Sequence, residues 1–225
     1  MAEGYIKVVD LHTHTLFSDG ELVPAELAQR ARVAGYSYLG LSDHADSSNL
    51  EFCVSALVRA AKDLSKAYPG FTVIPGIELT HVPPSDIPEL IAAARSLGAK
   101  YVVVHGETPV EPVEPGTNFA SISGGCDILA HPGFLTQEEA KIAAKNGVFL
   151  EISARGGHSL TNGYVVQLAR KNGAKMLINS DAHSIGDILT PEKQKKVALG
   201  AGLSEKEYEE ILAGAYKFAE KLVKG

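Results

Sequence analysis

The chain has 225 residues, of which 45% are hydrophobic and 21% are charged. These values are typical of globular proteins, exclude a disordered, collagen-like or coiled-coil chain, and suit one large domain over residues 1–225. The formal net charge is −6, and no lysine or arginine cluster marks a nucleic-acid surface. No apolar run reaches the roughly 20 residues of a membrane helix. Because no signal peptide is recognisable and two cysteines cannot form a disulfide framework, we expect a cytoplasmic protein that does not bind membranes.

Seven short runs rich in β-branched residues predict strands. Most are continuous apolar segments, the pattern of parallel strands buried on both faces. The predicted strands cover residues 6–11, 38–42, 72–77, 101–105, 127–130, 148–152 and 176–179.

Helical patterns lie between nearly all of these strands. They cover residues 24–34, 50–67, 88–97, 136–145, 161–171, 191–199 and 204–223. Thr136 and Glu139 predict a capping box, and the last helix is expected to cover the barrel. Repeated strand–loop–helix units favour a closed α/β barrel of the TIM type or a doubly wound sheet. The long connection 106–118 is interpreted as either a lid or a rigid surface excursion.

Histidines gather where the predicted strands end. The chain has eight histidines, and six of them lie at or just past a C-terminal strand end: His12, His14, His44, His105, His131 and His183. Acidic residues accompany them, namely Glu78, Glu151 and Asp181. In α/β barrels this rim carries the active site. Packing alone does not explain six histidines at one rim, because each buried imidazole needs hydrogen-bond partners.

The local spacing suits metal binding. His12 and His14 are two residues apart on a strand, so they point to the same face with Cα atoms about 6.6 Å apart. Both imidazoles can therefore reach one ion at about 2.1 Å. Asp43 and His44 are adjacent and face opposite sides, and we favour His44 as the ligand. Asp10 lies on the face of His12 and is expected to orient an imidazole.

These residues resemble the motifs of the PHP family, the polymerase and histidinol phosphatase metal-dependent phosphoesterases. The matching motifs are Asp10-Leu11-His12-Thr13-His14-Thr15, Ser18-Asp19-Gly20, Ser42-Asp43-His44, Gly76-Ile77-Glu78, Val104-His105, Ala130-His131-Pro132 and Ser180-Asp181-Ala182-His183. They lie within about residues 8–185, in the family's order, and the predicted C-terminal helices follow over about 191–223. The resemblance implies one PHP domain with the fold of a distorted TIM-like barrel of seven βα units.

The resemblance also implies two or three divalent metal ions, with zinc, manganese and iron equally compatible with the ligands. The implied ligands of the first ion are His12, His14, Glu78 and Asp181. Glu78 would bridge to a second ion that His105 and His131 complete. Asp19, His44 and His183 would bind a third ion, and Asp19 is the residue of this set whose position varies within the family.

The implied activity is hydrolysis of a phosphomonoester, as in histidinol phosphatases, by a hydroxide that bridges the metal ions. Arg155 is predicted either to bind the substrate phosphate or to form a surface salt bridge. His158 is predicted either to protonate the leaving oxygen or to be a solvated loop residue. His81 is expected not to bind metal. Glu151 either supports a metal ligand or pairs with a neighbouring cation.

Three other functions remain open. The first is a phosphodiesterase or nuclease of the PHP type, although the acidic charge and the absence of a basic stripe favour a small phosphorylated substrate over long nucleic acid. The second is a non-catalytic scaffold resembling a ribonuclease P protein subunit. The third is a barrel hydrolase acting on amides, which typically needs a carbamylated lysine or an equivalent bridge, and no lysine lies at the end of the fourth predicted strand. The sequence leaves the oligomeric state open.

Overall fold

Parallel strands and helices alternate along the chain in the computed structural model, which describes residues 7–224. The strands are β1 (Val8–Asp10), β2 (Tyr36–Leu41), β3 (His44–Ala45), β4 (Thr72–Leu79), β5 (Tyr101–His105), β6 (Ile128–Ala130), β7 (Phe149–Ser153) and β8 (Lys175–Asn179). The helices are α1 (Pro24–Val33), α2 (Leu50–Ala67), α3 (Ile87–Ser96), α4 (Thr117–Gly124), α5 (Gln137–Asn146), α6 (Asn162–Asn172), α7 (Pro191–Gly200) and α8 (Glu205–Lys224).

The sheet is parallel throughout and nearly closes into a barrel. Its strand order is β1-β2-β4-β5-β6-β7-β8, and the short strand β3 pairs with the end of β4. The two edges meet beyond β1 and β8, where Thr13 pairs in parallel with Ala182 and the Asp181 amide donates to the His12 carbonyl at 2.9 Å. The prediction of a distorted TIM-like barrel is confirmed. The segments that close it are those that carry the first and last histidine motifs.

A tyrosine ring fills the interior of the barrel. Tyr101 on β5 is fully buried and contacts the backbones of β2 and β4 at Gly40 and Gly76. A Cβ atom at either glycine would overlap the Tyr101 side chain. The two glycines are therefore required by the size of this ring, which lies beneath the strand ends that carry the histidines.

Helix α8 packs against the opposite, N-terminal end of the barrel. Its residues Ala215, Ala219 and Leu222 are buried in one cluster with Val9 of β1 and Phe149 of β7. The predicted covering role of the last helix agrees with this packing. Within residues 7–224, no helix has both the length and the apolar character that crossing a membrane demands.

The predicted elements differ from the structure at a few places. The predicted first strand begins at residue 6, which lies outside the described residues, and β3 was not predicted because it has only two residues. Helix α4 was also not predicted, because its sequence TNFASISG is rich in residues that favour other conformations. This helix packs between α3 and α5, and that tertiary packing outweighs its weak propensity. The capping box of Thr136 and Glu139 is present.

Candidate metal centre

The predicted site residues converge at the C-terminal ends of the strands. All nine predicted metal ligands fall into a connected set of groups whose donor atoms lie within 4.8 Å of one another: His12, His14, Asp19, His44, Glu78, His105, His131, Asp181 and His183. The remaining two histidines, His81 and His158, adjoin the same set. Every histidine of this chain therefore lies in one site.

The deepest group contains His12, His14, Glu78 and Asp181. His12 Nε2 lies 3.3 Å from Glu78 Oε1, and His14 Nε2 lies 3.2 Å from Asp181 Oδ1. His12 Nε2 and both ring nitrogens of His14 are buried without a hydrogen-bond partner. Donor atoms about 2.1 Å from one tetrahedral ion are about 3.4 Å apart. The spacing and the unpartnered nitrogens therefore fit a divalent cation at this point.

A second group lies around His131. Its Nε2 is 3.8 Å from Glu78 Oε1, and its ring stacks on that of His158 with centroids 4.1 Å apart. The donor nitrogens of His105, His131 and His158 form one of the groups within 4.8 Å. His105 Nδ1 lies 3.1 Å from the Gly106 carbonyl and donates to it, so its Nε2 is free to face the site. His158 thus lies beside the two histidines predicted for the second ion.

A third group opens to solvent. The Nε2 atoms of His44 and His183 face each other across 3.4 Å, and Asp19 Oδ1 lies 3.5 Å and 3.2 Å from them, respectively. Two imidazole nitrogens and a carboxylate that converge in this way suit a cation between them. The side chain of Asp19 is 56% exposed, so this group is the most accessible of the three.

A buried carboxylate supports His12 from behind. Glu151 Oε2 lies 2.7 Å from His12 Nδ1 and accepts a second hydrogen bond from Asn179 at 2.9 Å. Burial lowers the pKa of His12, but the carboxylates of Glu151, Glu78 and Asp181 outweigh burial and hold this pKa well above its usual value. With the Nδ1 proton held by Glu151, His12 presents Nε2 to the centre. Of the two predicted alternatives for Glu151, the geometry favours support of a ligand.

Asp10 and Asp43 have different structural roles. Asp10 Oδ1 accepts from the backbone amides of His12 and Ser180, so the expectation that it orients an imidazole was wrong. It instead joins the backbones beyond β1 and β8, and burial raises its pKa to about 6. The Asp43 carboxylate accepts from the amides of Thr15 and Ser18, which fixes the turn before Asp19. This geometry agrees with the choice of His44 over Asp43.

Arg155 and His158 both lie inside the site. Arg155 Nη1 lies 2.7 Å from His183 Nδ1 and donates to the Asp181 carbonyl at 3.3 Å, so Arg155 is not a surface salt bridge. His158 is buried, and its Nδ1 lies 2.8 Å from Thr108 Oγ1. It is therefore not a solvated loop residue. Burial lowers the pKa of His158 to about 4, which weighs against a proton-donating role at neutral pH.

Sequence reasoning missed Glu111 and expected no ligand role for His81. Glu111 Oε2 lies 3.0 Å from His105 Nε2 and 3.2 Å from His81 Nε2. The hydrogen bond to His105 and the nearby histidines lower the pKa of Glu111 to about 2. The one sequence feature that pointed to this region was the unusual length of the 106–118 connection. Since Glu111 reaches the site from that connection, the structure favours the lid interpretation.

Backbone strain marks the same region. Within residues 7–224, three non-glycine residues have positive φ: His81 at 53°, His131 at 25° and Asp181 at 53°. Such conformations are costly for residues other than glycine and persist where surrounding structure enforces them, often at functional sites. All three residues carry potential metal-binding atoms of this site.

The chain is similar to known proteins over most of its length. A family model described as "PHP domain" matches residues 10–218. The uncharacterized protein MJ1295 of Methanocaldococcus jannaschii is 52% identical over 204 residues, which cover 90% of this chain and 94% of that protein. Ribonuclease P protein component 3 of Methanosarcina mazei is 31% identical over 204 residues, covering 84% of this chain and 79% of that protein.

Solved structures show the same fold. This chain matches a solved structure with a TM-score of 0.63. That structure belongs to a study of YwqE from Bacillus subtilis and CpsB from Streptococcus pneumoniae, described as unique metal-dependent tyrosine phosphatases. The match covers 96% of this chain and 94% of that chain at 17% identity, and therefore speaks for the fold alone. The family model covers most of the sequence and agrees with the motifs at the strand ends. The chain belongs to the PHP domain family.

Proposed function

We propose that this protein is a metal-dependent phosphomonoesterase with two or three divalent ions at the C-terminal rim of the barrel. The observation that carries the proposal is the set of buried polar atoms without hydrogen-bond partners on His12, His14 and Glu78: His12 Nε2 faces Glu78 Oε1, and His14 Nε2 faces Asp181. Such groups are expensive to bury unless a ligand satisfies them.

The residues divide among three ion positions. His12, His14, Glu78 and Asp181 would hold the first ion, and Glu78 would also reach the second ion beside His105 and His131. Asp19, His44 and His183 would hold the third. Bound divalent ions supply a hydroxide at neutral pH and neutralise the phosphoryl oxygens. Imidazole and carboxylate ligands suit zinc, manganese or iron.

The protein's own groups prepare this chemistry. Glu151 fixes the tautomer of His12, so that Nε2 is available. An ion on His183 Nε2 requires the proton on Nδ1, which then donates to the Asp181 carbonyl at 3.0 Å. In that tautomer His183 no longer accepts from Arg155, and the guanidinium is free to bind a phosphate with two parallel hydrogen bonds. We therefore assign Arg155 to substrate binding. His158, the other residue predicted for catalysis, is better supported as a neighbour of the second ion than as a general acid.

The distribution of positive charge favours a substrate with one phosphate. All 21 lysine and arginine residues lie within residues 7–224. Arg155 is the only one in a segment that leads from a C-terminal strand end to the next helix. A long nucleic acid needs several cations along its path to neutralise successive phosphates. A terminal phosphomonoester needs only the metal centre and one arginine.

A scaffold function is the second candidate, because Ribonuclease P protein component 3 of Methanosarcina mazei is 31% identical to this chain. The unpartnered donor nitrogens argue for the enzyme, since a scaffold has no need of a buried polar array. The two functions differ in what they predict: a scaffold would bind RNA without bound metal ions and without hydrolysis.

A substrate panel tests the proposal. Protein reconstituted with Mn²⁺, Zn²⁺ or Fe²⁺ is assayed on an aryl monophosphate, histidinol phosphate, mononucleotides, a bis-aryl phosphate and an oligonucleotide. We expect metal-dependent release of phosphate from monoesters, lost in His12→Ala and retained in Glu192→Gln, whose side chain is exposed on α7. Turnover of only the diester or the oligonucleotide would replace the proposal by a phosphodiesterase. RNA binding by metal-free protein, with no turnover of any substrate, would replace it by the scaffold.

A further inference from the structure

The segment between β5 and α4 is closed at its base by reciprocal hydrogen bonds. Glu107 Oε1 accepts from the amides of Gly116 and Asn118 at 3.0 Å and 2.9 Å, and Asn118 Oδ1 accepts from the Glu107 amide at 3.0 Å. Asn118 also donates to the Pro132 carbonyl at 2.9 Å, next to His131. The ends of the segment are thus fixed relative to the metal centre.

The tip of this segment places one carboxylate among three histidines. Glu111 Oε2 lies 3.0 Å from His105 Nε2 and 3.2 Å from His81 Nε2, and Glu111 Oε1 lies 3.4 Å from His158 Nε2. The spacings resemble those between donor atoms in the deepest group, and edges of about 3.0–3.4 Å are expected around one ion about 2.1 Å from its ligands. The tip carries prolines at 109, 112 and 115, which restrict its backbone.

His105 contacts the carboxylate of Glu111 and not that of Glu78, which is predicted to bridge two ions. Among the described residues, Glu111 is the only carboxylate within 4.0 Å of His105 Nε2, whereas Glu78 lies within that distance of His12, His14, His44 and His131. An ion bound to His105 at this position is therefore nearest to Glu111 and His81. His81 shares its positive φ with His131 and Asp181, two of the predicted ligands.

We propose that Glu111 and His81 are additional ligands, with His105, of the second metal ion, so that the ion holds the 106–116 segment closed over the site. The assignment rests on the proposed metal-dependent function and adds a ligand pair carried by two loops. Because one of the ligands is on the segment itself, ion binding and closure are one event. Without the ion, Glu111 has hydrogen bonds to the neighbouring histidines, and Thr108 keeps its contact with His158.

Metal binding without substrate tests this assignment. Mn²⁺ alone is titrated into metal-stripped wild-type protein, Glu111→Gln and His81→Asn, and the number of bound ions and their dissociation constants are measured by equilibrium dialysis and electron paramagnetic resonance. Asparagine tolerates positive φ, so the second variant keeps the backbone at position 81. Glu114→Gln is the matched control, since Glu114 lies exposed on the same segment.

We expect one class of Mn²⁺ site to weaken by about tenfold or more in both variants, while the other classes and the Glu114→Gln protein remain unchanged. Hydrogen exchange should show Mn²⁺-dependent protection of residues 109–115 in the wild type that Glu111→Gln lacks. Unchanged or tighter Mn²⁺ binding in Glu111→Gln would overturn the assignment, since Glu111 would then be only a hydrogen-bond partner of the histidines. That result would leave the proposed phosphatase function unaffected. A wild-type protein that binds its ions but releases no phosphate would instead refute the proposed function and not the ligand assignment.

Discussion

Glu151 offers the sharpest test of how the barrel supports its metal centre. The carboxylate is fully buried, lies 2.7 Å from His12 Nδ1 and accepts from Asn179 at 2.9 Å. In Glu151→Gln the amide oxygen can keep both hydrogen bonds, and the amide nitrogen takes the place of Oε1, which has no hydrogen-bond partner in the wild type. The substitution therefore removes a charge from behind His12 with little change in shape.

The expected loss is about 10- to 100-fold in affinity for the first ion, which corresponds to about 1.4 to 2.8 kcal/mol. The pH dependence has a definite sign. Because Glu151 contributes to the raised pKa of His12, the wild-type imidazole must release a proton before an ion binds. As pH falls, competition from the proton on His12 lowers the metal affinity of the wild type more than that of the variant. The difference in metal affinity between the two proteins therefore becomes smaller. The difference in metal affinity is largest at pH values above the pKa of His12 in both proteins.

Isothermal titration with Mn²⁺ at several pH values, in buffers of different ionisation enthalpy, measures both the affinity and the protons released. The wild type should release more protons than Glu151→Gln below the pKa of His12. Glu138→Gln is the control, because Glu138 is an exposed residue of α5 that pairs with Lys141. Equal Mn²⁺ affinity of wild type and Glu151→Gln at alkaline pH would refute the argument that the buried charge tunes His12.

Three further predictions address the barrel, the substrate phosphate and the substrate class. Gly76→Ala should lower the free energy of unfolding by about 1–3 kcal/mol, because the added Cβ overlaps Tyr101. Urea denaturation measures this against Gly200→Ala, where an added Cβ meets nothing within 4 Å. Equal stability of the two variants would show that the barrel interior adjusts freely. Arg155→Ala should mainly raise KM for a monoester without altering the number of bound ions, and unchanged kcat and KM would remove Arg155 from the phosphate site. Monoester turnover should vary little between 50 and 200 mM salt, because only one arginine meets the phosphate, and a steep loss would indicate a polyanionic substrate.

The sequence predicts the strands and their end residues because both depend on local patterns. Continuous apolar runs identify parallel strands, and residues directly past their ends, such as His12 and Asp181, must meet at one rim once the sheet closes. The same logic applies to His44, since adjacency to Asp43 on an extended chain leaves one side chain facing the centre. These residues could be assigned to one site without knowledge of any loop conformation.

Residues brought in by loop folding were not predictable in this way. Glu111 is remote along the chain from His81 and His158, and only the course of the 106–116 segment places its carboxylate between them. His158 likewise contacts Thr108 of that same segment, at 2.8 Å from Oγ1 to Nδ1. Helix α4 escaped prediction for a related reason, since its packing against α3 and α5 compensates for a sequence with low helix propensity.

We propose that the cluster of buried histidines and carboxylates binds divalent ions and hydrolyses phosphomonoesters. The most direct measurement strips the protein of metal with a chelator, returns Mn²⁺ in steps, and follows bound ions and phosphate release from an aryl monophosphate in the same samples. We expect no turnover without metal and turnover that rises with occupancy of the deepest sites. Phosphate release that persists in fully stripped protein, or that stays absent with every site filled on each monoester of the panel, would contradict it.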